Sequence, residues 1–139
     1  MGFSYVAAVA ILLSSSLIFF GMVYGEFVQS NSQVSSAQNK MNQENYDLLN
    51  SKVNITGYYV VPGTTYNITI NMTNTGSITL NLDTSSLLVN GTMVNAVPSS
   101  NYLFPLGNGS ITFHSTSAGI KAVELIFNTG YEKFTKVNV

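Results

Sequence analysis

The sequence predicts an N-terminal transmembrane α-helix with a helical stalk, followed by an all-β, immunoglobulin-like antiparallel sandwich of about seven strands. Three observations carry this. Gly2–Gly25 holds no charge and is apolar or small almost throughout. Residues 26–51 are polar, lack Gly and Pro, and keep a seven-residue apolar repeat. From Lys52 the apolar period falls to two, and turn residues recur about every 8 to 12 positions. The expected parts are an anchor over 1–25, a stalk over 26–51 and a β domain over 52–139.

Taken as a helix, Gly2–Gly25 reaches roughly 36 Å, against about 30 Å of bilayer hydrocarbon, so it spans with some tilt. No Lys or Arg precedes the apolar run, and the run is longer than a cleaved signal needs. A retained, single-pass signal-anchor is expected, with the N-terminus cytoplasmic and the C-terminal domain outside. Five Asn-X-Ser/Thr sequons, at Asn54, Asn67, Asn71, Asn90 and Asn108, agree with an exported, glycosylated domain. Gly21 and Gly25 form a GxxxG that lets membrane helices approach closely. The stalk repeats Phe27, Val34, Met41 and Leu48 every seven residues, the register of a parallel helix pair. Ser30 and Glu44 interrupt the companion positions, so a solvated helical spacer is the competing reading. Self-association through Gly21, Gly25, Phe27, Val34, Met41 and Leu48 would make the chain a homodimer.

In the β domain, Val53–Val61 and Tyr66–Thr73 alternate apolar and polar residues, as half-buried antiparallel strands do. Val53, Ile55, Tyr59 and Val61 share one phase. Pro62-Gly63-Thr64 and Asn74-Thr75-Gly76 read as turns, the second leading into Ile78–Leu82. Asn90-Gly91, between Ser86–Val89 and Thr92–Val97, fits a type I′ hairpin. Asn108-Gly109 introduces Ser110–His114, and Thr129-Gly130 separates Ile120–Asn128 from Tyr131–Val139. Tyr102–Leu106 reads as a plug at one end of the sandwich, or else as an exposed apolar loop. Ile120–Asn128 is apolar in both phases, which marks Val123, Leu125, Ile126 and Phe127 as a candidate protein interface.

Charge excludes some partners. Only 8% of residues are charged, the net charge is −1, and all five basic residues are lysines. Nucleic acid and anionic surfaces are met with clustered basic residues, so no nucleic-acid partner is expected. Without cysteine there is no disulfide and no thiolate chemistry. His114 is the single histidine, and Asp83, Glu124 and Glu132 are scattered, so no catalytic, metal or cofactor site is expected and the chain reads as non-enzymatic.

Several motifs together resemble a known family. Met1-Gly2-Phe3-Ser4 runs straight into the span, and the Gln/Asn-rich stalk ends near Leu48-Leu49. Asn71-Met-Thr-Asn-Thr-Gly-Ser-Ile-Thr-Leu80 is followed by Thr84-Ser-Ser-Leu-Leu-Val-Asn-Gly91. In these the chain is similar to the archaellar accessory protein F family (FlaF/ArlF), stator-like components of the archaeal swimming motor. The resemblance implies an immunoglobulin-like domain between the cell membrane and the surface layer. It also implies two partners, the surface-layer protein and the sister archaellar protein G (FlaG/ArlG), and no catalytic motif. A filament subunit of the archaellin or pilin kind, which joins an apolar N-terminal core helix to a β head, is the other reading of the same layout.

Overall fold

The computed structural model describes residues 2–139. A single helix, α1, runs unbroken from Gly2 to Asn50. No proline interrupts it, and its apolar part reaches a mean hydropathy of 2.4 with none of that window buried, which makes it a candidate membrane span. Ser14, Ser15 and Ser16 donate their hydroxyls to carbonyls one turn back, Ile11 and Leu12, at 2.8–3.0 Å. Serines satisfied within their own helix can sit in hydrocarbon without a partner. The chain forms two compact units, the helix through Gln43 and a second unit, Glu44–Val139, that takes in the last turns of α1.

The end of α1 is tied down within that second unit. The Ser51 hydroxyl lies 2.6 Å from the Asp47 carbonyl and 2.9 Å from Thr129 Oγ1. Asn50 accepts at its carbonyl from the Ser77 N–H, and the Lys52 carbonyl accepts from the Thr75 and Gly76 N–H groups at 2.8 and 3.0 Å.

Ten strands follow: β1 (Val53–Val61), β2 (Tyr66–Asn74), β3 (Leu80–Asn81), β4 (Ser86–Val89), β5 (Thr92–Val94), β6 (Ala96–Pro98), β7 (Tyr102–Leu103), β8 (Asn108–Ser115), β9 (Ile120–Ile126) and β10 (Glu132–Asn138). They make one four-stranded sheet of order β1-β2-β8-β6, another of order β10-β9-β4-β5, and a short β3-β7 pair. With β1, β2, β4, β5, β6, β8, β9 and β10 taken as strands A, B, C, C′, D, E, F and G, the two orders are A-B-E-D and G-F-C-C′. This is the strand arrangement of an immunoglobulin-like sandwich. Every ladder is antiparallel. The core between the layers holds Ile68, Ile70 and Met72 of β2, Ile111 and Phe113 of β8, and Val123 and Leu125 of β9, all buried.

Three local readings need correction. The apolar phase of β1 does not run through: the register slips between Ile55 and Gly57. Beyond this bulge Val60 packs on the core, while Tyr59 and Val61 face out. The run Thr92–Val97 is two strands in different sheets, β5 and β6, parted at Asn95. No glycine or proline marks the crossing, so residue types alone could not reveal it. Asn108-Gly109, expected to introduce the strand Ser110–His114, is itself the start of β8. A Cβ on Gly109 would lie 2.9 Å from Leu103 Cδ1, so the glycine makes room for a core leucine.

Candidate interaction surfaces

The sequons occupy different settings. Asn67, Asn71 and Asn108 lie on the outer face of the β1-β2-β8-β6 sheet, in rows with His114, Ser110 and Thr73. Asn67 Oδ1 meets His114 Nδ1 at 2.5 Å, and Asn108 Oδ1 accepts from the Thr73 hydroxyl, also at 2.5 Å. Asn71 is half-buried and, with Thr56, Ser99, Asn108 and Ser110, lines an open depression of about 570 Å³. Asn54 sits on the edge strand β1 beside the bulge. Asn90 stands alone at the tip of the β4–β5 hairpin. With Asn90 at φ 50° and Gly91 at φ 79°, the turn is the type I′ expected there.

The two helical seams do not form one face. At about 100° per residue, Gly25 and Phe27 point roughly 200° apart, so the GxxxG and the Phe27–Leu48 repeat lie on opposite sides of α1. A Cβ on Gly21 or Gly25 would meet nothing within 4 Å, and Phe27, Val34, Met41 and Leu48 are exposed. One contact between two such helices can use one seam or the other.

Val123, Leu125 and Phe127 are buried in the protein's own core. As parts of an interface they are corrected: Val123 and Leu125 on β9, and Phe127 just past its end, belong to the core cluster. Only Ile126 of that group points outward, in a row with Ser86 and Glu132. The apolar surface on this sheet belongs to residues the sequence pattern did not single out. Phe134, Glu124, Leu88 and Met93 form one row across β10, β9, β4 and β5, with Phe134 65% and Met93 70% exposed.

The Tyr102–Leu106 segment combines both of its readings. Leu103 plugs the core, while Phe104 and Leu106 are 63% and 83% exposed. The Gly107 N–H donates to the Phe104 carbonyl at 2.9 Å. Pro105 follows Phe104, and Leu106 has φ 62°, which defines a type II turn whose third position favours glycine. A leucine there costs about 1–2 kcal/mol, and its exposed side chain returns nothing in packing. Strained residues of this kind cluster at functional sites in proteins. The ring of Tyr102 lies 6.4 Å from that of Phe104 and extends the exposed patch.

His114 is exposed on β8 with Asn67 as its partner. Among the described residues, no group of three or more His, Cys, Asp or Glu side chains is placed to hold a metal.

The layout defines a class: an apolar helix that can cross a membrane, followed by an immunoglobulin-like sandwich whose distinctive features are exposed apolar surfaces. Among solved structures, the archaellum periplasmic stator protein FlaG from Sulfolobus acidocaldarius has a similar fold, with a TM-score of 0.54 and 16% identity over 63% of this chain and 99% of that one. No family model matches the chain, and no match was found among curated proteins.

Proposed function

We propose that this chain is a non-enzymatic, membrane-anchored component of the archaellum that grips the surface-layer protein through its β-sandwich and holds the motor stationary. The observation that carries this reading is the joining of a candidate membrane helix to a sandwich that shares its fold with an archaellar stator protein. The N-terminus is cytoplasmic and the sandwich lies between membrane and surface layer. Assignment to accessory protein F, with protein G as a partner, rests on the stalk and the Asn71–Leu80 and Thr84–Gly91 motifs, since the fold is common ground. The strained, exposed Phe104-Pro105-Leu106 turn is the gripping point, because apolar tips of this kind suit docking onto a rigid lattice.

The test is co-sedimentation of residues 44–139 with isolated surface-layer sheets. Saturable binding that F104D abolishes and F134D leaves intact supports the reading. Loss in F134D with binding intact in F104D moves the grip to the outer face of the β10-β9-β4-β5 sheet. A domain that stays in the supernatant at every pH tried sinks the anchor reading. The 49-residue unbroken helix supports one alternative, a filament subunit, which self-assembly of the full chain would then establish.

A further inference from the structure

Five sequons are present, and their folded settings are unequal. An N-linked glycan needs two things from a folded domain: an amide nitrogen that points to solvent, and a hydroxyl residue two positions on that a transferase can reach. Asn67 is exposed, but its partner Thr69 is buried and bonded to Thr112 at 2.8 Å. Asn71 and Thr73 are both half-buried, and Ser110, which serves Asn108, is half-buried as well. At Asn90-Gly91-Thr92 all three residues are exposed.

The Asn90 amide is also oriented. Its Oδ1 accepts from the backbone N–H of Ala122 at 2.9 Å, and only the oxygen can accept from a peptide N–H. Nδ2, fixed on the other branch of the planar amide, is therefore turned away from that bond. The backbone of Asn90 is held too, its N–H donating to the Ala122 carbonyl at 2.8 Å. The type I′ turn thus presents a pre-formed acceptor.

We propose that the folded domain carries an N-linked oligosaccharide on Asn90, and that Asn67, Asn71 and Asn108 stay unmodified. Asn54, where Asn and Thr56 are both exposed on the edge strand, is the second site the geometry allows. The donor is a lipid phosphate- or diphosphate-linked oligosaccharide. A bond forms from Nδ2 to the anomeric carbon, the bond from that carbon to the phosphate oxygen breaks, and the amide proton goes to a base of the transferase. This inference rests on the reading that the domain lies outside the membrane.

The protein is purified in full length from its native membranes. No Lys or Arg lies between Lys52 and Lys121, so trypsin would leave all five sequons on one peptide. Chymotryptic peptides with electron-transfer fragmentation place the sugar instead. A glycan at Asn90, alone or with one at Asn54, is the expected result. T92V should lose the Asn90 glycan, T92S should keep it, and N90D should lose it while retaining the turn, since Asp-Gly also forms type I′. Protease added to intact cells separates the two levels. If the domain is digested yet Asn90 is bare, or the sugar sits on Asn67, Asn71 or Asn108 instead, the inference is overturned while the outward reading stands. If the domain resists protease until lysis, the outward reading fails and the inference falls with it.

Discussion

Gly76 shows how much one missing side chain decides. A Cβ there would lie 2.4 Å from the Asn50 carbonyl oxygen and 2.6 Å from the Lys52 nitrogen, both backbone atoms. Gly76→Ala should therefore lower stability by roughly 2–4 kcal/mol, read as a fall in melting temperature on residues 44–139. The neighbouring Asn74 is buried, its Nδ2 donating to the carbonyls of Ile78 and Leu103 and its Oδ1 accepting from Gly76 N–H. Leu106 is the opposite case. Leu106→Gly relieves left-handed strain of about 1–2 kcal/mol and adds about 0.4–1 kcal/mol of unfolded-chain entropy, so the melting temperature should match or slightly exceed that of the natural chain, while surface-layer binding weakens. Reduced stability together with intact binding would assign Leu106 a purely structural role. That Asn74-Thr75-Gly76 turns the chain was readable from residue types alone. That the same turn clasps residues 50–52 was not, because the clasp is set by contacts over more than 20 positions. Likewise Lys121 points inward beside Val123, its Nζ reaching Ser117 Oγ at 2.8 Å, where a charge would be expected on the water side.

At the scale of elements, the sequence revealed those with a strong period and a local turn. Helix α1, β1, β2, β4, the Asn90-Gly91 hairpin, β8, β9 and β10 all lie where their patterns put them, within a residue or two at their ends. The elements it misjudged depend on the rest of the fold. Of Ile78–Leu82, only Leu80–Asn81 forms a ladder, opposite Tyr102–Leu103, and β5 and β6 divide one unbroken run between two sheets. The exposed row through Phe134 was hidden for a related reason. An apolar residue on a strand says which phase it is in, and only the partner layer says which phase is inside. The boundary of the β unit has a measurable consequence. Residues 44–139 keep the Ser51 bonds to Asp47 and Thr129 and the Asn50 bond to Ser77. A truncation starting at Lys52 loses all of them and should melt several degrees lower, at about 4–8 °C per kcal/mol for a domain of this size. Equal melting curves for the two would show that the helix end adds nothing to the fold.

For the whole molecule, the scarcity of charge sets the character of any partnership. With 8% charged residues and a net charge of −1, long-range attraction contributes little, and contact must come from apolar surface and hydrogen bonds. Binding of residues 44–139 to surface-layer sheets should thus change less than about twofold between 50 and 500 mM salt. A tenfold loss would mean that a few lysines carry the contact. The tie at residues 50–52 has one more consequence, and it concerns how the domain fails under a pull. Lys52 leads directly into β1, an outer strand, and a pull on a bare outer strand would unzip it from β2 one rung at a time. Here the pull first meets the β2–β3 turn through Thr75, Gly76 and Ser77, and the β9–β10 turn through Thr129. Those turns lie at different places in the fold, so hydrogen bonds to both must break before the first rung of β1 can open.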